Sequence, residues 1–142
     1  MNQVGLSILL ITAKDLSFAS TANRTSQTTT QQTWVANGIT LVNDKANSTT
    51  NVANYSNPAR FYASSKITVT ATGKITKIVF DCNSSSYAST LKSSIGTVSG
   101  ATVSVSSDKV TVTFTNAVDS FVIAKLSGQV RMDSITVTYN PA

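Results

Sequence analysis

Histidine and glutamate are both missing from the 142-residue chain, cysteine and tryptophan occur once each, and the only acids are six aspartates. Each shortage removes a class of chemistry. General acid and base work near neutral pH draws on His or on Glu/Asp pairs. Cys-His and Ser-His-Asp nucleophile systems and His-based metal sites are therefore excluded. A lone Cys82 permits no disulfide within the chain. It closes the stretch KITKIVFDC in phase with Ile78 and Phe80, the pattern of a buried structural thiol. With Glu absent and Leu and Gln scarce outside short patches, long helices are not expected.

Charge is also sparse. Charged residues are 12% of the chain against 41% hydrophobic, so Ser, Thr, Asn and Gln must supply the polar surface. Thr and Ser suit the exposed face of a pleated sheet, and such a composition is typical of extracellular and virion β-proteins. The net charge of +5 brings nucleic acid into consideration. The positive residues are spread singly from Lys14 to Arg131, however, with no basic run. The excess reflects a shortage of acids, and no specific nucleic-acid binding is expected.

Period-two alternation recurs along the chain. KITVTA at 66–71 and GKITKIVFDC at 73–82 read as a hairpin about Thr72-Gly73. ATVSVSS at 101–107 and KVTVTFT at 109–115 form a second pair across Ser107-Asp108, and SFVIA at 120–124 is a further strand. QVRMDSITVTYN changes phase between Met132 and Ile135, as a β-bulge near Asp133-Ser134 would produce. Tyr87, Leu91 and Ile95 recur instead at helical spacing, behind a capping serine and ahead of Gly96, which predicts one short helix near 86–95. The expected fold is a single all-β domain over 1–142, a β-sandwich of jelly-roll type carrying that helix. The polar region 21–65, which holds an Asn37-Gly38 turn and a strand at Ile39 to Val42, lacks sustained alternation and reads as a long loop region, a common home of function.

The first residues, MNQVGLSILLITAKD, form an apolar run too short for a membrane span, and no Lys or Arg precedes it as a signal peptide requires. A secretion signal is the minority reading; a strand with Val4, Leu6, Ile8 and Leu10 on one face is expected within a 1–15 attachment segment. Being apolar on both faces, it is a candidate assembly contact.

Chemical motifs are weak. The six aspartates lie in or near turns without a D-x-D-x-D cluster, and turn-forming roles account for them better than calcium does. Ser89-Thr90-Leu91-Lys92 matches S-x-x-K but lacks its companion motifs. No metal or other cofactor is expected. Sugar recognition has a better case, since it needs a flat aromatic face beside groups that bind hydroxyls. Trp34, Asn54, Tyr55, Asn57, Arg60 and Tyr62 could supply both. The competing structural reading has Trp34 and Phe61 plugging the core beneath a lid, with Arg60 bonding loop carbonyls.

The pieces NRTS, WVANGI, NPARFY and QVRMDSITVTY, set in the stretch after Asp15, resemble a small β-sandwich accessory module of bacterial secreted and surface proteins and of phage structural proteins. The resemblance implies placement and adhesion rather than a reaction, and supplies no catalytic residues. The leading expectation is a non-enzymatic virion surface protein, a capsid decoration or tail-associated component. Its partners would be capsid or tail proteins, further copies of itself, and surface glycans, with no membrane insertion. The alternative is a secreted carbohydrate-binding module at a bacterial surface.

Overall fold

The computed structural model describes residues 12–140. Its elements, in chain order, are β1 (Thr12–Ser17), β2 (Arg24–Gln27), β3 (Gln31–Ala36), β4 (Ile39–Asp44), β5 (Ala59–Phe61), β6 (Lys66–Cys82), α1 (Ser85–Ile95), β7 (Ala101–Ser106), β8 (Lys109–Ile123) and β9 (Val130–Tyr139), with a single 3-10 turn before β2. All pairings are antiparallel and join the described strands into one curled sheet. The expected all-β, sandwich-like fold with one short helix is what the chain adopts.

The curl follows from two long strands. β6 runs for 17 residues and has β8 along one edge on both sides of an irregular stretch between Thr70 and Lys77. On its other edge Lys66–Ala71 pairs with β4, whereas Ile75–Cys82 pairs with β9. Where the partner changes, the sheet divides and its halves fold face to face. One half is β2-β3-β4 on the first part of β6, with the end of β8. The other is β7, the start of β8, the rest of β6, and β9, whose outer edge takes both β1 and β5.

The expected hairpin at Thr72-Gly73 is thus replaced by one continuous strand. Gly73 serves close approach, not reversal: a Cβ there would overlap the carbonyl oxygen of Asn140. Likewise the expected strand at 120–124 is the second half of β8. The 21–65 region is not a long loop either, because it contains β2, β3, β4 and β5. Alternation there is disguised by polar residues on the inward face, Gln32 ahead of Trp34 and Asn43 after Leu41, all of them buried.

Local signals elsewhere hold. Asn37 and Gly38 both have positive φ, 52° and 77°, and form the two-residue turn between β3 and β4. Ser107, φ 55°, turns β7 into β8. Asp81 faces Ser134 while Cys82 faces Met132, so Asp133 is the extra residue of the expected bulge. Ser84 caps α1, its hydroxyl accepting from the Tyr87 amide at 3.4 Å, and Gly96 ends it with φ 64°.

Apolar residues from both halves form one buried cluster. At one end Phe18 of the segment after β1 meets Trp34 and Phe61 edge-on, with ring centroids 5.0 and 5.7 Å away. At the split, the Tyr139 hydroxyl donates to the Asn37 carbonyl at 2.8 Å, and the Asn37 amide donates to the Asp15 carbonyl at 2.8 Å. These bonds tie the β3-β4 turn to β9 and β1. The proposed assembly residues Val4, Leu6, Ile8 and Leu10 lie outside the described residues. The end of the expected 1–15 segment falls in β1, which pairs with β9 of its own chain.

Candidate functional site

The segment 45–58 leaves β4 and crosses the end of the sandwich before β5. Its apolar residues Val52 and Ala53 turn inward and are buried. Beneath them stands Gln32, fully buried, whose amide orientation is fixed by chemistry. The Trp34 indole can only donate, and does so to Gln32 Oε1 at 2.7 Å. Gln32 Nε2 then donates to the Ala53 carbonyl at 2.7 Å and to the Gln27 side chain. One buried carboxamide thus ties the crossing segment to β3.

Trp34 itself has no exposed surface. Arg24 on the neighbouring edge strand places its guanidinium 5.5 Å from the indole centroid and donates to the Asn54 carbonyl at 3.0 Å. Trp34 therefore cannot present a face to a sugar, and its place in the expected site is corrected. It plugs the core with Phe61. The arginine that bonds a loop carbonyl is Arg24, and Arg60 is left for something else.

Alternation in β5 decides where Arg60 goes. Ala59 and Phe61 are buried, so Arg60 between them points to the outer face. There its guanidinium stacks on the Tyr55 ring, 3.7 Å from the centroid. Tyr55 is 49% exposed, with the ring standing at the rim of the crossing segment. Asn54 and Asn57 are exposed beside it, Asn57 in the tight turn closed by the Ser56–Ala59 bridge. Tyr62 is half-buried, and its carbonyl accepts from the Ser65 hydroxyl at 2.6 Å. Of the six expected sugar-site residues, the structure brings Tyr55 and Arg60 into direct contact, keeps Asn54 and Asn57 nearby, and sends Trp34 inward.

Sequence reasoning missed the residue across from Arg60. In the β5-β9 register Arg60 faces Arg131, with buried Val130 and Met132 on either side of the latter. Arg131 lies 5.5 Å from the Tyr87 ring centroid and directs its Nε and one terminal nitrogen at Gln129 Oε1, both at 3.3 Å. The available signal was the outward phase of Arg131 within V-R-M. Nothing in sequence spacing tied it to Arg60, 71 positions earlier.

Electrostatics elsewhere are conventional. The ion pairs among the described residues join lysines to aspartates: Lys74 to Asp119, and Lys109 to both Asp81 and Asp108. The two carboxylates hydrogen-bond the Lys109 ammonium and raise its pKa. Burial pushes the Cys82 thiol up to about 12, with help from the negative charges of Asp81, Asp108 and Asp133. Among the described residues no three His, Cys, Asp or Glu side chains gather as metal ligands. No described helix is long and apolar enough to cross a membrane.

Neither a scan of protein-family models nor a search among curated proteins finds a match for this chain.

Proposed function

We propose that the protein is a non-enzymatic adhesion module that binds saccharides at the Tyr55–Arg60 rim, displayed on a virion surface as a capsid decoration or tail-associated component. The observation that carries the binding part is the half-exposed Tyr55 ring with a guanidinium packed on one face. A ring held in this way offers its other face for the C–H side of a sugar, while Arg60, Asn54 and Asn57 supply hydrogen-bonding groups around it. The virion placement rests on the Ser/Thr/Asn-rich, weakly charged composition and on the sequence resemblance to β-modules of phage structural proteins. The absence of His and Glu from the chain supports a binding rather than a catalytic role.

The test is a binding screen of the purified chain against neutral glycans and bacterial envelope material at low and high salt. Binding that persists in high salt and is lost in Tyr55→Ala, with thermal unfolding unchanged, is the expected result. Persistence of binding in Tyr55→Ala would overturn the assignment, and salt-sensitive binding that Tyr55→Ala leaves unchanged would trace it to net charge alone.

A further inference from the structure

Two arginines directly opposite each other in an antiparallel pair have Cβ atoms about 5 Å apart and project from the same face. Arg60 and Arg131 are such a pair. Like charges so placed repel, and a sheet ordinarily avoids the arrangement or neutralises it. Here no neutralising partner is present among the described residues. The ion pairs among the described residues belong to lysines, and Asp133, two positions beyond Arg131, takes a hydrogen bond from the Asn83 side-chain Nδ2 at 3.4 Å. The acceptor that Arg131 does meet, Gln129 Oε1, is uncharged.

Both cations are nevertheless held in place. Arg60 is stacked on Tyr55 and Arg131 lies near Tyr87, so each is presented beside an aromatic ring. Arg60 Nε is buried and has no hydrogen-bond partner among the described residues. Tyr87 belongs to the first turn of α1, and the Asn83 amide just before that helix donates to the Arg131 carbonyl at 2.9 Å. The positive end of a helix dipole therefore adjoins the second arginine. Repelling charges and a helix start both favour a negative group above this part of β5 and β9.

We infer that Arg60 and Arg131 form a two-arginine clamp for an oxyanion, and that the clamp selects acidic saccharides, those bearing a carboxylate or a phosphate, over neutral ones. The inference rests on the saccharide reading of Tyr55 and specifies the ligand class for that site. Guanidinium groups recognise both oxyanions through paired N–H donors, so the chemistry shared by the two sources is a charge with several acceptor oxygens. The sugar ring would lie on Tyr55 and its charged substituent between the arginines.

The experiment is a calorimetric titration of the full chain with four probes: a uronic-acid oligosaccharide, the same oligosaccharide with its carboxyls reduced to alcohols, a sugar phosphate, and inorganic phosphate. Wild type is compared with Arg131→Gln and with Arg131→Lys, which keeps the charge but loses the fork. The acidic oligosaccharide is expected to bind about ten- to a hundredfold more tightly than its reduced form. Arg131→Gln should erase that difference while leaving the weaker neutral binding intact, and Arg131→Lys should erase most of it. A stronger response to the sugar phosphate than to the uronic acid would assign the clamp to phosphate. Equal binding of acidic and reduced forms overturns the clamp and leaves the saccharide site standing. Arg131-dependent binding of inorganic phosphate, with no sugar bound, supports the clamp and removes the saccharide reading. No binding of any probe overturns the clamp. Should Arg131→Gln fail to fold, Arg131→Lys decides the matter.

Discussion

Replacing Gln32 by alanine tests whether one buried carboxamide holds the crossing segment to the sandwich. Gln32 is fully buried and serves the Trp34 indole, the Ala53 carbonyl and Gln27. Its removal leaves the indole N–H and the Ala53 carbonyl without partners, at about 1–3 kcal/mol each. One methylene also leaves the core, worth about 0.8 kcal/mol. Less the rotamer entropy regained, the expected loss is about 1–5 kcal/mol. A domain of this size has a total stability of roughly 7–20 kcal/mol, so the loss is a large share of it. Urea unfolding followed by far-UV circular dichroism, a probe that variants without tryptophan keep, measures it as a lower midpoint at unchanged slope. Gln32→Met with Trp34→Phe provides the control: with donor and acceptor both gone, the double variant should be less destabilised than the two singles added together, by more than about 1 kcal/mol. A Gln32→Ala cost below about 1 kcal/mol, or simple additivity, would refute the assigned network.

Alkaline pH should expose Cys82. Its thiol is held neutral in the folded protein, with a pKa of about 12, whereas an unfolded cysteine ionises near pH 8.5. Stability from this group is therefore complete below about pH 8.5 and is lost as pH rises toward 12. Between pH 8 and pH 10.5 the wild type should lose about 2–3 kcal/mol more than Cys82→Ala in parallel urea titrations, a comparison that cancels tyrosine and lysine titration, that of Lys109 included. Equal losses would contradict the burial of the thiol. Gly73→Ala should cost about 1–3 kcal/mol through overlap with the Asn140 carbonyl, read as a lower melting temperature. An unchanged melting temperature would mean that the strand end moves away freely.

Much of the local structure was legible because neighbouring residues determine it. The β7-β8 hairpin, the Asn37-Gly38 turn, the capped helix and the Asp133 bulge each depend on a few adjacent positions. What sequence reading lost was continuity. At the split in the sheet β6 interrupts its alternation and contains a glycine, and those two signs are shared by a bent strand and a tight turn. Buried Gln32 hid β3, and buried Asn43 cut the expected Ile39–Val42 strand short of the full β4, for a related reason: an inward polar residue satisfied by hydrogen bonds breaks the apolar count without breaking the strand. The site was legible in half. NPARFY drew attention to Arg60, but its stacking on Tyr55 and its pairing with Arg131 arise from tertiary register, and burial of Trp34 depends on Phe18 and Phe61 closing around it.

The two layers share their backbone. β6 passes through both, paired on each side along most of its length, and β8 accompanies it. Separating the layers would mean breaking hydrogen bonds in strands that belong to both, so partial opening at this seam saves little over complete unfolding. The amides of β6 on either side of Gly73 should accordingly exchange with solvent by a common route, the global one. A load applied at the Arg60–Arg131 face would reach the far layer through covalent chain rather than across a side-chain interface.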